Sequence, residues 1–83
     1  MATVAQELVS YLLIRPGACD TADGISRWWF ETEHFVSPQA LKQALDELTA
    51  LGLLLACPAA DGRVRFRRGA DAAALRAYLD SAG

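Results

Sequence analysis

The stretch Ser37-Pro38-Gln39-Ala40-Leu41-Lys42-Gln43-Ala44-Leu45-Asp46-Glu47-Leu48-Thr49-Ala50-Leu51-Gly52-Leu53-Leu54 decides how this chain is read. Ser37 offers a side-chain oxygen to the free amides of a first helical turn, and Pro38 brings a backbone angle already suited to that turn. Leu41, Leu45 and Leu48 recur at i, i+4 and i+7, with Ala44 and Leu51 on the same side, which gives one apolar helix face. Gly52 stands where a helix ends on a left-handed residue. The spacing predicts a helix over 38–51, and the periodicity changes directly after it.

Downstream, Asp61-Gly62 is a signal for a two-residue type I′ hairpin turn. Folding about it sets Ala60 opposite Arg63, Ala59 opposite Val64 and Cys57 opposite Phe66. Leu53, Leu55, Cys57 and Ala59 would then share a face with Val64 and Phe66, while Arg63, Arg65 and Arg67 point the other way. A hairpin is expected over 53–68, with Pro58 implying an edge strand or a slightly longer loop. Gly69 breaks the second strand. Asp71 can cap a last helix over 72–80, whose apolar stripe is Leu75 and Leu79 with Tyr78 beside it.

Upstream, Val4, Leu8, Tyr11 and Leu12 recur at helical spacing, Thr3 can cap them, and Pro16-Gly17 ends the segment, so a helix is expected over 4–14. Residues 18–23 read as a short extended connection. Asp20 or Thr21 can then cap a second helix over 21–33, in which Ile25, Trp28 and Trp29 fall at i, i+3 and i+4. Gly24 weakens that helix by about 1 kcal/mol relative to Ala, a cost that close approach of a neighbouring backbone would explain.

The whole chain has 83 residues and a net charge of −2. That is enough for one domain over 1–83, and it leaves little room for a buried active-site cavity. The charge is uneven. Acidic residues dominate 1–36, whereas Arg63, Arg65, Arg67 and Arg68 crowd into the hairpin. The longest charge-free stretch, 48–60, contains Gly52 and Pro58 and is too short to cross a bilayer, so no membrane partner is expected. Cys19 and Cys57 make no disulfide framework and read as reduced thiols; with no basic segment leading into an apolar one, a cytoplasmic location is expected. His34 is the sole histidine, no C-x-x-C is present, and the glycines form no phosphate loop. The expectation is a non-enzyme with no cofactor, no metal and no small-molecule substrate.

The order helix, extended segment, helix, helix, β-hairpin, helix resembles the winged helix-turn-helix superfamily over roughly residues 3–68. The residues that carry the resemblance are Thr21-Ala22-Asp23-Gly24-Ile25-Ser26-Arg27-Trp28-Trp29 and the stretch 37–54, with Leu48-Thr49-Ala50-Leu51-Gly52-Leu53-Leu54 like a junction from recognition helix to wing. The resemblance implies an α+β fold, mostly helical: a three-helix bundle plus a β-hairpin wing, here with an extra C-terminal helix. It also implies a small transcriptional-regulator-like protein that binds double-stranded DNA. In that reading Ser37, Gln39, Lys42 and Gln43 would enter the major groove, and Arg63, Arg65, Arg67 and Arg68 would hold phosphates. The same residue types are also ordinary on a solvated helix face, and arginines also protect an edge strand from aggregation.

One segment departs from the resemblance. Trp28-Trp29-Phe30-Glu31-Thr32-Glu33-His34-Phe35 is aromatic where a typical helix-turn-helix has a small polar turn. It opens an alternative of another class, a non-catalytic protein-interaction module that presents Trp28, Trp29 and Phe35 to a protein partner. Leu75, Tyr78 and Leu79 are further candidates, for a homodimer through the last helix. The two readings predict different surfaces. DNA binding requires one continuous positive face across the third helix and the wing, whereas an adaptor would interrupt that face with negative charge and an exposed Trp28 or Trp29.

Overall fold

The computed structural model describes residues 3–29 and 36–82, and the side chains of Trp28 and Ala82 lie outside the described set. The elements are α1 (Val4–Ile14), β1 (Cys19–Thr21), α2 (Ala22–Trp28), α3 (Pro38–Ala50), β2 (Leu54–Pro58), β3 (Val64–Arg68) and α4 (Ala72–Ala82). More than half of the described residues are helical, and the three strands form one antiparallel sheet in the order β1-β3-β2. The fold is therefore α+β and mostly helical.

Side-chain caps set the helix starts. Thr3 and Gln6 form a reciprocal capping box at α1, the Thr3 hydroxyl accepting from the Gln6 amide at 3.1 Å and the Thr3 amide donating to the Gln6 side chain at 2.9 Å. Thr21 caps α2 by accepting from the Gly24 amide, Ser37 caps α3 by accepting from Ala40, and Asp71 caps α4 by accepting from Ala74. At the other end of α3, the Leu53 amide donates to the Leu48 carbonyl and the Gly52 amide to that of Thr49, with Gly52 at φ +77°. This pair of bonds is the Schellman arrangement, and it turns the buried Leu53 into the core. Leu51 lies beyond the apolar stripe assigned to it. As the cap residue it is 57% exposed.

The core is apolar and mostly helical. Leu8 and Leu12 of α1, Ile25 of α2, Leu48 of α3 and Leu75 of α4 are fully buried against one another and against Leu54 of β2. Each such side chain contributes about 1.5–3 kcal/mol by leaving water. Trp29, just past α2, is 4% exposed and stacks on Tyr11 with ring centroids 4.8 Å apart. The second helix ends at Trp28, before the expected end at 33; residues 30–33, where the rest of it is expected, lie outside the described set. Gly24 does have a tight neighbour, but it is the Asp20 carboxylate and not a backbone.

The sheet brings the main correction. The hairpin pairs Pro58 with Val64, Cys57 with Arg65, Ala56 with Phe66, Leu55 with Arg67 and Leu54 with Arg68, one residue away from the expected register. The cause is the turn. A type I′ turn needs positive φ at both central residues, yet Gly62 alone has it here (φ +84°), and Asp61 does not. Instead the Gly62 amide donates to the Ala59 carbonyl and the Ala59 amide to the Arg63 carbonyl, closing a three-residue loop. A slip of one residue exchanges faces. Leu54, not Leu55, consequently enters the core. The extended connection after α1 is also a true strand, β1, pairing Cys19 with Arg67, Asp20 with Phe66 and Thr21 with Arg65. That places β3 in the centre of the sheet, so its arginines are not guarding an edge; β2, with Pro58, is an edge strand.

Candidate functional site

Strand alternation sorts the hairpin arginines. Phe66 is half-buried against the core beside the fully buried Leu54, so the face that carries them is the inner one. Arg65 and Arg67 stand on the outer face, both exposed, and Arg63 continues their alternation just before the strand. Arg68 falls on the inner face opposite Leu54 and is half-buried, so it does not join the other three. The outer positions beside the arginines are Cys19 and Thr21 on β1 and Leu55 and Cys57 on β2. None of these is acidic. Only at the turn does a carboxylate approach, Asp61 at 4.0 Å from Arg65. Both thiols are free and their strands flank β3, about 9.6 Å apart at ordinary strand spacing, too far for a disulfide without backbone movement.

The exposed side of α3 is electrostatically different. Gln39, Lys42 and Gln43 are all exposed, but the Lys42 ammonium donates to Asp46 at 3.1 Å, one turn on. The Ser37 hydroxyl is engaged as the helix cap. Glu47 accepts from the Tyr78 hydroxyl at 2.7 Å, tying α4 to α3. Partial desolvation, followed by that carboxylate, pushes the Tyr78 pKa up to about 12. On α2, Arg27 is spent on Asp23 at 3.5 Å. The exposed faces of α2 and α3 are thus neutral to acidic, and their cations Arg27 and Lys42 are paired locally.

Between α2 and α3 lies an open groove of about 570 Å³ lined by Val36, Leu41, Leu45 and Phe66, with Asp23, Lys42 and Asp46 along it. Phe66 belongs to the inner sheet face, so Lys42 and the outer arginines lie on opposite sides of β3. The third helix and the wing therefore do not form one continuous positive face.

The protein-interface candidates separate as well. Trp29 is core, stacked on Tyr11, and its ring is not offered to a partner. Leu75 is 0% exposed because α4 packs on α1, so it cannot build a dimer contact; Tyr78 and Leu79 are half-buried against the same core. Phe35 and the Trp28 side chain fall outside the described residues. Among the described residues no group of three His, Cys, Asp or Glu side chains could hold a metal ion, and no helix is long and apolar enough to cross a membrane.

Sequence reasoning missed the neighbours of the arginines, Thr21 and Cys19, because β1 is three residues long and pairs with a strand more than forty positions away. It also set Leu55 on the wrong face, through the turn type. Comparison with known protein families, curated proteins and solved structures finds no match to this chain.

Proposed function

We propose that this chain is a winged-helix module that binds nucleic acid through its β-hairpin wing. The order α1-β1-α2-α3-β2-β3, with β3 between β1 and β2, supports the winged-helix frame. The observation that carries the binding reading is the row Arg63, Arg65 and Arg67 on a sheet face whose strand positions hold no carboxylate, in a protein of net charge −2. Guanidinium forks match phosphate oxygens, and a local cationic field attracts a polyanion even when the global charge is slightly negative.

A second reading draws on a different observation. The paired charges of α2 and α3 and the apolar groove between them favour a protein-interaction module, with no role for base recognition. Fluorescence anisotropy of labelled duplex DNA across a salt series separates the two. The nucleic-acid reading expects binding whose logarithmic salt slope approaches about −2.7 for three neutralised phosphates, and which the R63A/R65A/R67A variant loses. Absence of binding at low salt would reject it in favour of the protein-interaction module.

A further inference from the structure

Resting on the nucleic-acid reading, we infer that duplex DNA lies across the outer face of the three-stranded sheet, held by phosphate contacts alone, with α3 turned away from it. The face has the right charge in the right place. Arg65 and Arg67 are successive outward residues of the central strand, about 6.8 Å apart along it, and Arg63 extends the row. Cys19 and Thr21 flank them on one side and Leu55 and Cys57 on the other, so none of the six outward strand positions opposes a phosphate. No described helix packs on this face: Leu54 and Phe66, which meet the helices, are on the other one.

The same geometry removes α3 from the contact. Phe66 and Lys42 line one groove on the inner side of β3, whereas Arg65 and Arg67 leave the sheet from its outer side. A duplex seated on the arginines is separated by the sheet from Lys42 in that groove, and Gln43 lies further off, beside Thr3 and Gln6 at the start of α1 and Tyr78 of α4. Turned the other way, α3 would bring Asp46 and Glu47 towards phosphates with its one lysine already paired. The sheet itself is too broad to read bases. Three strands span about 9.6 Å between outer strand axes before side chains are added, and a major groove about 12 Å wide admits a helix or a two-stranded ribbon. Phosphate contacts without base contacts carry no sequence information directly, so binding is indifferent to sequence.

The test measures anisotropy with short duplexes of unrelated sequence, at several salt concentrations, for the wild type and two double variants. Circular dichroism melting checks that each variant is folded. Expected are wild-type affinities within about threefold across the duplexes, loss of about tenfold or more in R65A/R67A with a salt slope shallower by about 1.8, and a change of no more than about twofold in Q39A/Q43A. Strong preference for one duplex that Q39A/Q43A abolishes would overturn the sheet-face inference and leave the nucleic-acid reading standing. Tighter binding of single strands than of duplexes would also overturn it. No binding of any nucleic acid at low salt would overturn both.

Discussion

In the helical half, Leu8, Leu12, Ile25, Leu48 and Leu75 are fully buried against one another; on the outer face of the sheet, Cys19, Leu55, Arg65 and Arg67 are all exposed, Leu55 to 42%. Among the described residues the sheet is held from one side, chiefly through Leu54 and Phe66, and towards its turn even the inner residues Ala56, Pro58 and Val64 are exposed. The difference teaches that stability and recognition occupy separate parts of this small molecule. A substitution on the outer face costs the fold little, because the atoms removed touch mainly water.

The sharpest way to break this comparison is to attack the helical side. Leu48→Ala should destabilise the protein by about 2–5 kcal/mol, since a fully buried leucine leaves a cavity that close-packed neighbours fill only in part. Urea denaturation measures it, and a cost below about 1 kcal/mol would mean that the core is not the close-packed apolar cluster described. Gly69→Ala comes next. A Cβ there would sit 2.7 Å from the Gly52 carbonyl oxygen, while the Gly69 amide donates to Leu53, so the exit from the sheet would have to shift. More than about 1 kcal/mol should be lost, read from the same denaturation curves. Ser37→Ala should cost about 1 kcal/mol through loss of the α3 cap.

R65A/R67A sharpens the contrast from the other side. Its stability should stay within about 0.5 kcal/mol of wild type per substitution, because both side chains are exposed and the ion pair of Arg65 with Asp61 is long at 4.0 Å. Equal melting with altered polyanion binding is the expected signature; a large loss of stability would tie the two regions together after all.

The smallest effect is at Tyr78. Its folded pKa lies above the ordinary value of 10.0, so its contribution to stability is fully present below pH 10 and is lost as pH rises towards about 12, where the unfolded chain ionises first. Spectrophotometric titration should show one phenol ionising late, a step that Tyr78→Phe removes, and a single ionisation near pH 10 in the wild type would contradict the Glu47 bond.

The helices were largely legible because their starts and stops are local. Thr3, Ser37, Asp71 and Gly52 act within a few residues of where they stand, and three of the four helix starts follow from them directly. The spacing of Ile25, Trp28 and Trp29 sends one of the two tryptophans into the core without saying which, and the stripe of α4 does not say what covers Leu75, since an amphipathic pattern shows that a face is apolar and not which surface meets it. β1 gave no pattern of its own; three residues are too few for alternation to register, and its partner is distant. The candidate site lay between these cases. Alternation identified Arg63, Arg65 and Arg67 as one row, but separating Arg68 from them and seeing α3 on the far side required the pairing of β2 with β3. That pairing hung on Asp61-Gly62, a dipeptide compatible with two loop lengths.

Those few residues from Ala59 to Arg63 give the hairpin a parity. With three residues in the loop, Leu54 is inward on β2 while Phe66 is inward on β3, and the two strands agree about which side is oil and which is water. A slip of β2 against β3 by one residue would set them at odds, turning Leu55 inward and Leu54 outward while β1 still holds β3 in place. Residues added within the loop leave the pairing alone, because hairpin loops of two to five residues all join strands in register. The hairpin therefore tolerates a change in its length at the tip and not a change in its phase along the strands.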